Sequence, residues 1–138
     1  IGLFYSFNTQ HTRKVAEKIK EALGQAAVEE VNVEEISMDD FKKYDNIILG
    51  ASTWFDGELP NYWDEFLPEL EEADLGNKRI AIFGLGDQKN YPQNFADAVG
   101  IMHDLLAELG AKMVATPNLT ATNLRPHKAC ATVSSWAL

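Results

Sequence analysis

Short apolar runs alternate along this chain with segments whose apolar residues recur at helical spacing. Residues 1–5, 46–50 (NIILG) and 79–84 (RIAIFG) are runs of the first kind and predict buried strands. Residues 12–23 place Val15, Ile19, Ala22 and Leu23 on one helical face, with Gly24 as the stop. Residues 28–36 alternate apolar with acidic positions, which predicts a strand with one wet face near a sheet edge. Ser37-Met38-Asp39-Asp40 carries the signature of a capped short helix running through Lys43. Further helices are expected over residues 62–72, 95–109 and 127–138, and a last strand over 112–115.

Strand and helix therefore alternate five times, with no repeats or low-complexity linkers. Apolar strands joined by crossover helices give an α/β three-layer sandwich, a five-stranded parallel sheet covered on both faces. Such sheets bind ligands beyond the carboxyl ends of their strands, beside the point where strand order reverses. Three loops leave those ends, at 6–12, 51–61 and 85–94, and they are the most unusual stretches in the chain. One site built from all three is the expectation.

Composition narrows the class. A chain of 138 residues, 46% of them hydrophobic, predicts one soluble domain spanning residues 1–138. No stretch approaches the roughly 20 apolar residues of a membrane span. Nothing at the start reads as a signal peptide, and Ile1 falls inside the first strand, so one or two residues are expected to precede it. The single cysteine, Cys130, excludes an internal disulfide and fits a reducing cytoplasm. It lies in an expected helix, as a small buried or half-buried residue. A net charge of −9 argues against nucleic acid or an anionic membrane as partner. From Asp56 to Asp74 there are eight acidic residues and no Lys or Arg, a solvated helix face or a docking surface for a basic partner.

The loops carry the candidate chemistry. Ser6-Phe7-Asn8-Thr9-Gln10-His11-Thr12 joins a strand to a helix, whose free N–H groups and dipole favour an anion. Asn8, Thr9 and Thr12 add side-chain donors. There is no Gly-x-x-x-x-Gly-Lys sequence, so this is no ATPase loop, and an ordinary capped helix start reads equally well. Arg13 and Lys14 are expected to point outward. Trp54 and Phe55 on the second loop and Tyr91 on the third can clamp a flat ring by stacking, or fold down onto the neighbouring helices. His11, His103 and His127 have no metal-ligand spacing. The adjacent pairs Asp64-Glu65 and Glu71-Glu72 give no acid–base arrangement, and no Ser/His/Asp or Cys/His arrangement is present.

Together these stretches resemble the flavodoxin family. Thr9-Gln10-His11-Thr12 matches its T-G-x-T phosphate loop. Gly50-Ala51-Ser52-Thr53-Trp54, followed by Gly57-Glu58-Leu59-Pro60, matches its S-T-W loop. Gly84-Leu85-Gly86-Asp87-Gln88-Lys89-Asn90-Tyr91 matches its G-x-G-D-Q…Y loop. The resemblance runs to about Val114. Beyond it, a single uninterrupted last strand and a short closing helix look like the short-chain members, although the third loop looks like the long-chain ones.

The resemblance implies strand order 2-1-3-4-5 and one non-covalent FMN. It implies a monomeric cytoplasmic one-electron carrier, not an enzyme, serving a basic reductase and acceptor that dock near 56–74. Phe7, Asn8, Thr9, Gln10, His11 and Thr12 would hold the phosphate, with Thr9 and Thr12 the best donors. Trp54 and Tyr91 would sandwich the ring. Ser52, Thr53, Phe55, Asp56 and Gly57, with Leu85, Gly86, Asp87 and Asn90, would line its polar edge. Acidic and aromatic surroundings would disfavour added negative charge on the reduced flavin and make it a strong electron donor. The Phe55–Asp56 peptide would turn on reduction.

The departures from the family pattern are Ser6 and Gln10 at positions where glycine occurs, Phe7 where the family has a hydroxyl, and bulky Phe55 at the turning peptide. Gln10 is expected to strain the cradle, and Phe55 to weaken stabilisation of the one-electron-reduced flavin. Competing readings are an FMN-dependent quinone or nitro reductase of the same fold, disfavoured by rings over both flavin faces, and a relative that has lost FMN. A receiver domain is poorly supported, since the strand 46–50 ends without the Asp that fold needs.

Overall fold

The computed structural model describes residues 1–52, 60–85, 97–114 and 129–130. Strand β1 (Gly2–Tyr5) leads into helix α1 (Gln10–Leu23), then β2 (Glu29–Asn32), α2 (Met38–Lys42), β3 (Asn46–Ser52), α3 (Asn61–Glu71), β4 (Arg79–Leu85), α4 (Asp97–Glu108), β5 (Lys112–Met113) and β6 (Ala129–Cys130). Strands β1 to β5 form a parallel sheet in the order β2-β1-β3-β4-β5. The five-stranded α/β sandwich of the sequence reading is thus present.

Alternation along the buried strands divides the core in two. Phe4, Ile47, Leu49, Ala51, Ile80 and Ile82 pack with Phe41 of α2, with Trp63, Phe66 and Leu70 of α3 and with Met102 and Leu106 of α4. Leu3, Tyr5, Ile48, Ala81 and Phe83 turn to the opposite face and meet Ala16 and Ile19 of α1. Period-two strands with both faces covered account for the unbroken apolar runs in the sequence. On that second face Gly50 has no room for a side chain: a Cβ there would stand 2.7 Å from Phe83 Cζ and 2.9 Å from Tyr5 Cβ.

Several boundaries moved. Helix α1 buries Thr12, Ala16 and Ile19, with Val15 and Leu23 half-buried, while Ala22 is exposed. The inward stripe is therefore rotated from the one the apolar spacing predicts. It ends as expected at Gly24, whose φ of +91° suits glycine. Strand β2 lies at the sheet edge but stops at Asn32; Val33–Glu35 is a 3₁₀ turn, started by Asn32 Oδ1 accepting from Glu34 N at 3.3 Å. Ser37 caps α2 as expected, and Asp40 answers it in a reciprocal capping box. Strands β3 and β4 run on to Ser52 and Leu85, because those residues pair in register.

The carboxyl-terminal expectation fails at one point. Residues 129–130 form β6, antiparallel to β4, where a helix was expected. β5 pairs with Arg79 and Ile80, and β6 pairs farther along the same edge with Gly84 and Leu85. A strand edge needs partners for its backbone N–H and C=O groups, and β5 is too short to supply them all. Cys130 consequently lies on a strand, not in a helix. The remaining expected elements near the terminus, Ala115 included, fall outside the described residues.

Candidate functional site

The chain passes from β1 to β2 on one side and then returns to β3 on the other, so the strand order reverses between β1 and β3. Helix α1 starts beside that point. Thr9 occupies its N-cap in an extended conformation (φ −97°, ψ 108°), and its carbonyl accepts from Arg13 N at 3.0 Å. The Thr9 hydroxyl does not cap the helix; it donates to the Ser6 carbonyl at 2.9 Å. The first turn has no acidic residue. A helix start leaves its first N–H groups without intrahelical acceptors and concentrates positive potential there. Thr9, Gln10, His11 and Thr12 are thus brought to one helix end, with Thr12 only 3% exposed. This donor set (amides and hydroxyls, without a carboxylate in the first turn) suits a phosphate.

Gln10 is the first helical residue, in ordinary right-handed backbone. The expected strain from the missing glycine is absent, because the position has no positive φ to satisfy. Phe7 turns its ring onto Tyr5, with centroids 5.0 Å apart, and joins the α1-side core. Phe7 N faces Asn32 Oδ1 at 3.4 Å and Asn8 N faces Ser6 Oγ at 3.3 Å. Both carboxylate oxygens of Glu34 are engaged by the loop: Ser6 Oγ donates to one, and Asn8 Nδ2 to the other at 2.7 Å. Sequence reasoning missed Asn32 and Glu34. Their signal was a polar and acidic cluster at the carboxyl end of the strand next to β1.

Arg13 and Lys14 are exposed, as expected. Beneath them, Tyr5 OH donates to Glu30 Oε1 at 2.8 Å, and Lys20 Nζ lies 3.0 Å from Glu30 Oε2. Burial, with the Glu30 carboxylate, pushes the Tyr5 phenol up to about 12. Burial acts to raise the Glu30 carboxyl, but the hydrogen bonds from Tyr5 and Lys20 outweigh it and leave it below its ordinary value.

Ser52 and Leu85 end β3 and β4 side by side, so the second and third loops depart from neighbouring strand ends. Thr53, Trp54, Phe55, Asp56 and Gly57, and likewise Gly86, Asp87, Asn90 and Tyr91, lie outside the described residues. On α3 and just after it, Asp64, Glu65, Glu69, Glu71, Glu72 and Asp74 are all exposed. His103 Nδ1 sits 3.1 Å from Asp104 Oδ1, away from these loops in the chain. Among the described residues no group of three metal-ligating side chains occurs, and no helix is long and apolar enough to cross a membrane.

A parallel sheet of order 2-1-3-4-5 with an anion-suited helix start at its switch point defines the class of doubly wound, flavodoxin-like α/β proteins. The sequence model of the Flavodoxin family matches residues 3–133, and the chain belongs to that family. The flavodoxin of Synechocystis sp. is 42% identical over 115 residues, 83% of this chain and 68% of its own length. That of Haemophilus influenzae is 36% identical over 129 residues, 94% of this chain and 74% of its own. Among solved structures, Fusobacterium nucleatum flavodoxin bound to flavin mononucleotide superposes with a TM-score of 0.75 at 27% identity, over 82% of this chain and 67% of its own. Oxidised Flavodoxin 2 of Bacillus cereus gives 0.74 at 36% identity, over 83% and 78%.

Proposed function

We propose that this chain is a one-electron carrier working through a single non-covalent FMN, and that it has no substrate of its own. The observation carrying this reading is the convergence of the α1 start with the adjacent ends of β1, β3 and β4, in a member of the flavodoxin family. When bound, the flavin supplies the redox chemistry. The protein supplies its binding, orientation and electrostatic surroundings.

In this reading residues 1–138 are one domain. Thr9, Thr12 and the amides of residues 10–12 hold the phosphate, with Phe7 and Asn8 shaping the loop before them. Trp54 and Tyr91 cover the two ring faces. Ser52, Thr53, Phe55, Asp56 and Gly57 line the polar edge with Leu85, Gly86, Asp87 and Asn90, and Asp87 stands near the pyrimidine end. The exposed carboxylates of α3 steer a basic redox partner by charge, a contribution that weakens as salt rises. The carrier is a monomer of a reducing cytoplasm.

Visible absorption of the purified protein, followed by FMN titration with fluorescence quenching, tests the proposal. A yellow protein with quenched flavin is expected. A colourless protein that neither quenches nor colours on titration with FMN refutes it.

A further inference from the structure

A glycine-rich phosphate loop obtains its shape from backbone freedom. This loop has no glycine between Ser6 and Thr12, so something else must fix its shape. The described residues show what does. The end of β2 and the 3₁₀ turn Val33–Glu35 after it stand across from the loop, and one side chain from each reaches over. Asn32 Oδ1 accepts from Phe7 N at 3.4 Å, and Glu34 accepts from the side chains of both Ser6 and Asn8. The partners are 25 to 28 residues apart in sequence, so these are tertiary contacts and not features of a local turn.

We propose that Glu34 is the positioning residue of the phosphate loop. Its two carboxylate oxygens strap Ser6 and Asn8 toward β2 and set where the first turn of α1 presents its donors. The inference rests on the FMN reading above and adds to it a residue outside all three loops. Ser6 is 1% exposed, so its hydroxyl must find a partner inside the fold, and Glu34 is that partner. Asn8 is exposed, yet its amide is committed to Glu34 at 2.7 Å, a charge-assisted bond stronger than a neutral one. Asn8 then acts on the phosphate through loop shape. Glu34 itself is solvent-exposed, so its replacement should leave the core intact.

The test compares FMN with riboflavin, which lacks the phosphate, by fluorescence quenching on the intact chain. Glu34→Ala is expected to weaken FMN roughly tenfold and to leave riboflavin within about twofold, the scale of losing hydrogen bonds to a charged group. Glu34→Gln, which keeps one acceptor oxygen, should fall between the parent and Glu34→Ala. Asn8→Ala should weaken FMN in the parent but add little in the Glu34→Ala background, because the two side chains act as one unit. Hydrogen exchange should quicken at residues 7–9 in Glu34→Ala while β3 and β4 stay protected. The proposal is overturned if Glu34→Ala binds FMN as tightly as the parent or more tightly. It is equally overturned if FMN and riboflavin weaken alike, or if the Asn8 and Glu34 effects simply add. A parent protein that binds no FMN defeats the functional reading instead, and is told apart because it fails before any variant is made.

Discussion

The indole Nε1 of Trp63 donates to the carbonyl of Gly50 at 3.2 Å, with the indole fully buried. The bond ties the first turns of α3 to the stretch of β3 from which the second loop departs. It also satisfies a buried donor that would otherwise be costly.

Trp63→Phe removes that donor and leaves the Gly50 carbonyl without it, in a site the smaller ring underfills. A loss of about 2–4 kcal/mol is expected from the hydrogen bond and the cavity together. Urea denaturation followed by far-UV circular dichroism measures it, and a midpoint equal to the parent's would contradict the account.

Gly50 itself permits the packing of the opposite face. Gly50→Ala would press a methyl group against the Phe83 ring and against Tyr5 Cβ, which belongs to the rigid stem of its side chain. Overpacking of this kind costs about 1–3 kcal/mol. Phe83→Leu in the Gly50→Ala background is expected to recover part of the loss, a non-additivity that a double-mutant cycle reads directly.

Alkaline pH should weaken the fold through three tyrosines. Tyr5 is raised to about 12 by burial and by Glu30, Tyr44 to about 12 by its hydrogen bond to Glu29 and by burial, and Tyr62 to about 12 by burial and the charge of Glu34. Each folded value lies above the ordinary 10.0, so the native state holds these protons more tightly than the unfolded chain. The corresponding stability is fully present below pH 10 and is lost as pH rises through about 12. Urea midpoints between pH 9 and 12 should fall with this dependence, and Tyr44→Phe should flatten it. Midpoints that hold constant across the window would rule the account out.

Much of the architecture was legible because parallel strands buried on both faces are apolar without interruption, as in Ile47, Ile48 and Leu49. The cap at Ser37 was legible because it is a local motif. Pairing decides what local pattern does not. Sequence pattern places Ser52 and Leu85 in loops, and they are strand because they lie opposite each other. Sequence pattern places Ala129 and Cys130 in a helix, and they are strand because β4 offers an open edge. In the loop, Thr9 and Thr12 were recognisable by residue type and position. Glu34 was not, since a carboxylate more than 20 residues away joins the loop only after β1 and β2 have paired.

Gln10 shows the same division between pattern and structure. A glycine at its position in the family pattern suggests that Gln10→Gly would relieve strain and tighten FMN. In the structure Gln10 opens α1 in right-handed backbone, where glycine relieves nothing and adds conformational entropy to the unfolded helix end. The cost is at most about 1 kcal/mol, less than in a helix interior, and equals up to about a fivefold loss in an equilibrium constant. FMN titration of Gln10→Gly is therefore expected to show unchanged or slightly weaker binding. Thr9→Ala should weaken it more, because the Thr9 hydroxyl holds the Ser6 carbonyl at 2.9 Å and so closes the turn that leads into the helix. Thr12→Ala should weaken it too, since Thr12 is a buried hydroxyl in the first turn. A Gln10→Gly variant that binds FMN several-fold more tightly than the parent would mean that the bound loop departs from right-handed backbone at this residue, and that the glycine of the family pattern is missed after all.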